Sequence, residues 1–563
     1  MTGSFSEPHI CQCLNRIAAL RRSSPVVIYG ERWQTGQQFV DSVLHLAGGL
    51  WRLGLAPGDV VAISAFNSDL YLEWLLAIAF VGGIAAPLNY RWSLPEAKFA
   101  MLLVQPVLLV TDESCSGWYP ELHSSTIPSL KWRILLSSLP SKFPNECSVL
   151  TMDKLKFGSQ RCSSSNYSWA PEGAVIICFT SGTTGRPKGV TISHSALIAQ
   201  SMAKIAICGY DEDDIYLHSA PLCHIGGLSS AMAMLMVGAC HVLMPKFDAK
   251  LAIEVIEKWD VTSLITVPAM MADLISLLRG KEWWKGKDSM KKILNGGGSL
   301  SPELIRGATI IFPKAKILSA YGMTEACSSL TFMTLYDPIF QSPDQANLSS
   351  RTNRQSSSSQ QGIPMGKPAP HVDIRTDADD SLGVGRILVR GPNLMLKYWN
   401  QAPTLDCKDQ QWFDTGDIGF IDDHGELWLI GREKGRIKSG GENIYPEEVE
   451  AVLSQHPGVH GVVVVGVPEL RLSEMVVGCV QLKENWQWSN KAYGSVPMNE
   501  DHNVLSGEIL RQFCKENNLT GFKIPRVFYP WRKAFPTTST GKVVRGKLRD
   551  EVILHLQPLQ GRL

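Results

Sequence analysis

Apolar segments of two lengths alternate along most of the chain, and this alternation limits the architectures it can adopt. Short runs such as VVAISAF (60–66) and PVLLVTD (106–112) have the length of buried strands, whereas YLEWLLAIAFVGG (71–83) has the length of a helix. In LAIEVIEKWDVTSLITVP (251–268) a helical pattern leads directly into a strand pattern. Strands that alternate with helices build largely parallel sheets covered by helices. The sequence therefore predicts an α/β fold.

This alternation continues to about residue 335, and the pattern then changes, which indicates further structural units. Residues 342–361 are rich in Ser and Gln and predict a surface loop. The short runs VDIRT, GRILVRGPN and GELWLIGR then predict a small β-rich lobe. A polar segment over 484–507 is expected to protrude as an irregular insertion. We expect a large N-terminal domain of stacked α/β sheets with this β lobe over residues 1–433, and a small mobile α+β C-terminal domain over 434–563.

Composition and charge exclude several classes of protein. The 54 Lys and Arg nearly balance 53 Asp and Glu, and no basic tract is present, so we expect no nucleic-acid partner. The thirteen cysteines lack paired metal-ligand spacing, which is typical of reduced thiols in an intracellular protein. The amino terminus lacks the pattern of a secretory signal. The apolar run 225–244 approaches bilayer length but contains Ser, Gly and His, so it predicts a buried helix and strand, with no membrane span.

One stretch, FTSGTTGRPKGVTISH (179–194), is dominated by Gly, Thr and Ser. Its glycines allow the backbone to approach an anion closely, while hydroxyls and the Lys188 ammonium supply donors and positive charge. It is not the P-loop of common nucleotide hydrolases, because Pro187 precedes Lys188 and Gly189 follows it. A lone loop of this kind is as often an ordinary turn. The predicted phosphate-binding residues are Thr180, Ser181, Gly182, Thr183, Thr184, Gly185 and Lys188.

Further glycine-flanked polar clusters follow this loop in a fixed order. They are PLCHIGGL (221–228), GGGSL (296–300), YGMTEA (321–326), WFDTGDIG (412–419), GREKGRIKSGGENIYPEEVE (431–450) and PTTSTGKVVRGKLR (536–549). Together they resemble the adenylate-forming superfamily of acyl-CoA synthetases, luciferases and peptide-synthetase adenylation domains, over essentially the whole chain. More narrowly, YGMTEACS, HIGGLS and SGGENIYPEEVE are similar to the 2-succinylbenzoate-CoA ligases of menaquinone and phylloquinone synthesis.

The resemblance implies a ligase that works in two steps. A carboxylate attacks the α-phosphorus of ATP, with Mg²⁺ present, and expels pyrophosphate; the thiol of coenzyme A then displaces AMP. Both steps require positioning and charge neutralisation. The implied partner is a small-molecule carboxylic acid, most specifically 2-succinylbenzoate. The alternatives are a ligase for another aromatic or medium-chain acid, and a catalytically silent acyl-nucleotide-binding protein.

The resemblance also implies roles for individual residues. Lys542 would bridge the carboxylate and the α-phosphate, His224 would lie beside the acyl group, and Glu325 would bind magnesium together with Thr183. Lys434 would be the hinge between the domains. The remaining expectations are Thr324 and Gly322 near the phosphates, Tyr321 against adenine, Asp417 and Arg432 at the ribose, Gly296, Gly297 and Gly298 around the acyl group, and Gly440, Gly441 and Asn443 along the pantetheine passage.

The last three residues of the sequence bear on the compartment of the cell in which we expect the protein. Gly561-Arg562-Leu563 resembles the peroxisomal Ser-Lys-Leu signal in its basic-then-leucine ending. The two polar insertions are similar to those of plant relatives. We therefore expect a peroxisomal, plant-type enzyme, with the chloroplast or the cytoplasm as alternatives.

Overall fold

The computed structural model describes most of the chain. The described residues are 7–118, 121–123, 125–136, 149–181, 187–281, 283–300, 302–341, 363–378, 383–402, 412–432, 435, 437–444, 446–489, 503–517, 519, 521–536, 543 and 545–560. The predicted loop at 342–361, the centre of the Gly/Thr loop at 182–186, and Lys434, Lys542 and the final tripeptide lie outside them.

Strands make up much of the described structure. In chain order they are β1 (Pro25–Tyr29), β2 (Arg32–Thr35), β3 (Val60–Ser64), β4 (Ile84–Pro87), β5 (Leu108–Thr111), β6 (Trp132–Leu135), β7 (Val149–Thr151), β8 (Ala174–Ser181), β9 (Pro187–Ser193), β10 (Ile215–His218), β11 (Cys240–Leu243), β12 (Ser263–Thr266), β13 (Lys292–Asn295), β14 (Lys316–Met323), β15 (Ser328–Tyr336), β16 (Ile363–Pro368), β17 (Asp373–Asp377), β18 (Gly385–Arg390), β19 (Lys397–Tyr398), β20 (Phe413–Ile421), β21 (Leu427–Arg432), β22 (Ile437–Ser439), β23 (Glu442–Ile444), β24 (Val459–Glu469), β25 (Ser473–Leu482), β26 (Trp486–Trp488), β27 (Asn503–Leu505) and β28 (Val527–Pro530).

Helices alternate with these strands, as predicted. They are α1 (Cys13–Leu20), α2 (Gly36–Arg52), α3 (Asp69–Phe80), α4 (Leu94–Val104), α5 (Met152–Lys156), α6 (His194–Cys208), α7 (Ile225–Val237), α8 (Ala249–Trp259), α9 (Pro268–Leu278), α10 (Gly286–Ser289), α11 (Pro302–Ile311), α12 (Pro446–Leu453), α13 (Gly507–Glu516) and α14 (Arg545–Gln560). Local signals set their ends: the Ser193 hydroxyl caps the first turn of α6, and Gly209 ends it in the left-handed conformation.

Two large sheets form the N-terminal part, and their parallel cores confirm the predicted α/β fold. Within the described residues one sheet has the order β17-β18-β20-β21-β16-β15-β14-β13-β12-β10-β11-β1-β2, and the other β19-β9-β8-β4-β3-β5-β6-β7. Strands β1, β11, β10, β12, β13 and β14 are parallel to one another. Large apolar side chains are fully buried around the helices that cover these sheets, including Phe39, Tyr71 and Trp74.

The predicted β lobe is not a separate sheet. Its strands β17, β18, β20 and β21 continue the first large sheet, because the beginning of β16 pairs with β21 and its end pairs with β15. The sequence pattern could not show this, since short antiparallel strands look the same whether they form their own sheet or extend another.

Strand β9 lies between the Gly/Thr loop and α6 and pairs antiparallel with β8, placing Lys188 opposite Thr180. One further expectation differs from the structure. The segment 484–507 is not wholly irregular, since β26 pairs in parallel with β27.

The run 225–244 forms α7 and β11, as predicted. None of the described helices is both long and apolar enough to cross a bilayer. Every cysteine in the described part of the chain is buried with a free thiol.

The C-terminal part has its own sheet and core. Strands β23-β22-β25-β24 form it, with β28 against β25, and α12 and α13 cover a cluster that includes Leu453 and Leu510. The last strand of the large sheet ends at Arg432 and the first strand here begins at Ile437. The predicted boundary after residue 433 falls between these strands and stays a prediction.

We expect Gly322→Ala to lower thermal stability because Gly322 lies in the β14–β15 hairpin without room for a side chain. A Cβ there would be 1.6 Å from the Ser328 carbonyl oxygen. Relieving that overlap requires a backbone shift, which costs on the order of 1–3 kcal/mol. Gly296→Ala is the matched control, because a Cβ added at Gly296 would have no heavy atom within 4 Å. Equal melting temperatures for the two variants would contradict this packing account.

Candidate active site

A cavity lies where several parallel strands end. It has a volume of about 190 Å³. Strands β10, β12, β13 and β14 run in the same direction, so the residues after each strand meet at one edge of the sheet. Open α/β sheets bind ligands at this edge. The cavity brings together nine predicted site residues: Thr180, His224, Gly296, Gly297, Gly322, Thr324, Glu325, Gly440 and Gly441.

The other predicted residues fall into two groups. Lys188, Tyr321, Asp417 and Gly298 are described but do not line this cavity, and Ser181, Arg432 and Asn443 are described only by their backbone. Gly182, Thr183, Thr184, Gly185, Lys434 and Lys542 lie outside the described residues. Their predicted roles stay predictions.

Glu325, the predicted magnesium ligand, belongs to a short polar chain. Its Oε1 accepts a hydrogen bond from the Tyr398 hydroxyl at 3.0 Å, and the Lys188 ammonium lies 4.8 Å from the centre of the Tyr398 ring. Strand β19 carries Tyr398 and pairs with β9, which carries Lys188. A carboxylate is an oxygen ligand of the kind that Mg²⁺ prefers. The geometry therefore links the predicted metal ligand with the predicted phosphate-binding lysine.

Tyr321 and Asp417 form one unit near the cavity. The Tyr321 hydroxyl donates to Asp417 Oδ2 at 2.6 Å, and both residues are buried. Asp417 lies on β20, opposite Arg432 of β21. This hydrogen bond fixes the direction of the carboxylate predicted to hold the ribose. A ribose contact at Oδ2 would share that oxygen with Tyr321.

The strongest electrostatic feature is a carboxylate that sequence reasoning missed. Glu442 Oε1 lies 3.1 Å from His224 Nε2 and 3.0 Å from Arg91 Nη1. Burial opposes ionisation of Glu442, but His224 and Arg91, with a hydrogen bond from Asn89, outweigh it and lower the pKa of Glu442 from 4.5 to about 2. The ionised carboxylate thus joins the C-terminal sheet to the cavity wall. Its only sequence signal is its place directly after Gly440 and Gly441.

The turn before Glu442 is set by its two glycines. Gly440 and Gly441 connect β22 to β23 with φ values of +60° and +85°, a conformation that side chains disfavour. A Cβ on Gly441 would lie 3.2 Å from Val267 Cγ1, and one on Gly297 would lie 3.7 Å from the Gly441 Cα. The turn therefore packs directly against the loops that follow β12 and β13, and it covers one side of the cavity.

Comparison with known proteins shows which enzyme family the sequence of this chain matches. The model for AMP-binding enzymes matches residues 14–399, and the model for the AMP-binding enzyme C-terminal domain matches residues 448–542. The chain is 57% identical, over the full length of both proteins, to the chloroplastic/peroxisomal 2-succinylbenzoate–CoA ligase of Arabidopsis thaliana.

More distant relatives extend this similarity. The chain is 30% identical to the indoleacetate–CoA ligase of Aromatoleum aromaticum, over 96% of this chain and 98% of that protein. Among solved structures, a double mutant of the o-succinylbenzoate CoA synthetase of Bacillus subtilis, bound to a product analogue, superposes with a TM-score of 0.73 at 24% identity. That superposition covers 97% of this chain and 98% of the bacterial one, which supports the same fold.

We expect Glu442→Gln to weaken the attachment of the β22–β23 turn to the cavity wall by about 1–2 kcal/mol, since Arg91 is partly exposed. The folded-state pKa of Glu442 is lowered, so its contribution is complete above about pH 4.5 and is lost as the pH falls toward 2. Hydrogen exchange of residues 437–444 should rise in the variant at neutral pH. The difference in melting temperature from the unmodified protein should shrink below about pH 4.

Glu508→Gln is the matched control. Glu508 pairs with Arg511 on the exposed face of α13, away from the cavity. It should leave hydrogen exchange at 437–444 unchanged. A difference between the unmodified protein and Glu442→Gln that stays constant down to about pH 3 would contradict the assigned role of the carboxylate.

Proposed function

The chain belongs to the AMP-binding enzyme family, and on that premise we propose that it is an AMP-forming ligase that joins 2-succinylbenzoate to coenzyme A. The observation that carries the proposal is its 57% identity, over the full length of both proteins, to a plant enzyme of that name. The cavity supports it, since it gathers predicted acyl-binding and phosphate-binding residues at one edge of the sheet.

In the first step the acid's carboxylate attacks the α-phosphorus of ATP, and the difficulty is the approach of two anions. Thr180 and Thr324 line the cavity and offer hydroxyl donors to phosphate oxygens. Glu325 would hold the Mg²⁺ that accompanies ATP, which neutralises developing charge on the phosphates. Lys542 would supply a further cation at the reacting carboxylate and phosphorus. No protein nucleophile is required.

In the second step the thiol of coenzyme A attacks the acyl carbonyl of the adenylate and AMP leaves. This step requires a passage for the pantetheine arm. The Gly440–Gly441 turn lies beside the cavity and has no side chain to block such a passage. Glu442 holds His224 in a fixed direction at the acyl end. The arrangement with the C-terminal turn against the cavity suits thioester formation.

Two other functions are open to direct test. The similarity to an indoleacetate–CoA ligase keeps another aromatic acid as the second candidate for the substrate. A silent acyl-nucleotide-binding protein would retain the cavity but catalyse no exchange of pyrophosphate into ATP. The presence of Glu325, Lys188, Asp417 and Lys542 together favours activity.

We propose the peroxisome or the chloroplast as the location, since the Arabidopsis relative's name carries both compartments. The tripeptide Gly561-Arg562-Leu563 favours the peroxisome. A fluorescent protein fused so that this tripeptide remains free should enter peroxisomes. A cytosolic distribution of that fusion would contradict the peroxisomal location.

We expect purified protein to release pyrophosphate with 2-succinylbenzoate, ATP and Mg²⁺, and to form the corresponding CoA thioester, identified by mass. A panel that includes indoleacetate, cinnamate, benzoate and a medium-chain fatty acid should show lower kcat/KM values. An equal or higher kcat/KM for any of these acids would remove 2-succinylbenzoate as the preferred substrate.

We expect the two half-reactions to be separable by mutation. Lys542→Ala removes a cation from the transition state of adenylate formation, which should slow that step on the order of a hundredfold to a thousandfold. It should largely spare thioester formation from preformed acyl-adenylate. Glu442→Gln should slow thioester formation more than adenylate formation, because it loosens the turn beside the cavity. Single-turnover assays of each step test this prediction. Loss of both steps in equal proportion in both variants would contradict a C-terminal domain that changes position between the two steps.

A further inference from the structure

A buried cation lies at one end of the cavity and has no anionic partner among the described residues. Lys204 of α6 is fully buried, and its side chain reaches the cavity wall. Its ammonium donates to Ser229 Oγ at 2.7 Å, to Ser230 Oγ at 3.0 Å and to the Gly226 carbonyl at 3.4 Å. All three acceptors are neutral. Burial lowers the pKa of Lys204 from 10.5 to about 8.

The neighbouring serines do not require this lysine. The Ser229 hydroxyl donates to the Ile225 carbonyl at 2.6 Å, and the Ser230 hydroxyl donates to the Gly226 carbonyl at 2.9 Å. Both hydroxyls therefore satisfy their hydrogens within α7, and they act toward Lys204 only as acceptors. A buried charge costs free energy unless it is paired, so the folded protein gains little from an ammonium at this position.

A second polar group near Lys204 is also unused. Gln200 lies one turn earlier on α6 and is fully buried. Neither its Oε1 nor its Nε2 has a hydrogen-bond partner within the part of the chain that the structure describes. Residues four apart on a helix lie on the same face. Among the described residues, an ammonium without an anion and an amide without partners thus lie one turn apart on the same face of α6, and Lys204 is the one of the two that lines the cavity. Both groups can donate hydrogen bonds to an anion.

The position of this pair fits the far end of the acid. His224, beside the predicted reacting carboxylate, immediately precedes α7, and Ser229 and Ser230 lie five and six residues further along. At 1.5 Å per residue, the contacts of Lys204 with Gly226, Ser229 and Ser230 span about 3 to 9 Å along α7 from His224. 2-Succinylbenzoate carries a second carboxylate, on its ring, at the opposite end from the succinyl carboxylate. A ligand with the succinyl end at His224 would direct its ring toward Lys204.

We propose that Lys204, with Gln200 beside it, binds the second carboxylate of the acid and makes the enzyme selective for a dicarboxylate. Ser229 and Ser230 hold the ammonium in place as neutral acceptors. The inference rests on the proposed function, since it identifies the partner of a group that only a dicarboxylic substrate has. Lys204 is thus a specificity-determining residue and takes no part in the chemical steps.

The test compares two acids in two proteins. 4-Oxo-4-phenylbutanoate has the skeleton of 2-succinylbenzoate without the ring carboxylate. In Lys204→Met, kcat/KM for 2-succinylbenzoate should fall on the order of a hundredfold, because the buried ring carboxylate loses its cation. The value for 4-oxo-4-phenylbutanoate should stay nearly unchanged. An equal fall for both acids would overturn the inference.

A stability measurement separates ligand binding from a structural role. Without ligand, Lys204→Met should have a higher melting temperature than the unmodified protein, because the charge that it removes has only neutral acceptors among the described residues. A structural lysine would give a lower melting temperature, and that result would overturn the inference. Lys258→Met is the matched control, since Lys258 lies on the exposed face of α8 and pairs with Glu31; it should leave the preference between the acids unchanged.

The unmodified protein provides a test that does not depend on the variant folding. 2-Succinylbenzoate should raise its melting temperature more than 4-oxo-4-phenylbutanoate does at the same concentration. Equal shifts would overturn the role of the second carboxylate. If the unmodified protein forms no thioester with 2-succinylbenzoate, the proposed function fails, whereas turnover of both acids with equal kcat/KM leaves the ligase activity intact and removes the role of Lys204.

Discussion

The common direction of the central strands is the constraint from which the site follows. Because β10, β12, β13 and β14 are parallel, helices connect each of them to the next, and the turns that follow the four strands lie at the same edge. His224, Gly296 and Glu325 are far apart in the chain, yet each follows one of these strands directly or within a few residues. The cavity is therefore a property of the topology, and the polar residues of the turns give it its chemistry.

Glu442 adds an electrostatic link between the C-terminal sheet and the N-terminal part, which the strand topology does not provide. It belongs to the C-terminal sheet, while both of its cationic neighbours belong to the N-terminal part. Lys523 and Glu96 form another ion pair between these parts at 2.8 Å, and Arg471 pairs with Asp273. Side-chain pairs of this kind can separate and re-form at modest cost, which suits the proposed movement of the C-terminal domain between the two chemical steps.

The sequence predicted the α/β fold and nine of the residues that line the cavity, because these depend on local patterns. Segment length and alternation gave the parallel sheets, and glycine-flanked clusters marked the turns after strands. Arg91, Lys204 and Glu442 were missed because their importance arises from long-range contact: Arg91 and Glu442 are 351 residues apart and neither lies in a distinctive pattern of its own. The merging of the β lobe with the large sheet was missed for a related reason, since strand pairing across the chain leaves no local pattern.

The pairing of β16 with both β21 and β15 has a consequence for cooperativity. The β lobe and the parallel core share this strand, which pairs with β21 through residues 363–366 and with β15 through residues 367–368, so local loss of the lobe would expose unpaired backbone in a strand of the core sheet. The C-terminal sheet shares no ladder with the large sheets among the described strands, and it has its own apolar cluster. Heat should therefore unfold the chain in two calorimetric units, divided after β21 and not at the change of sequence pattern near residue 335.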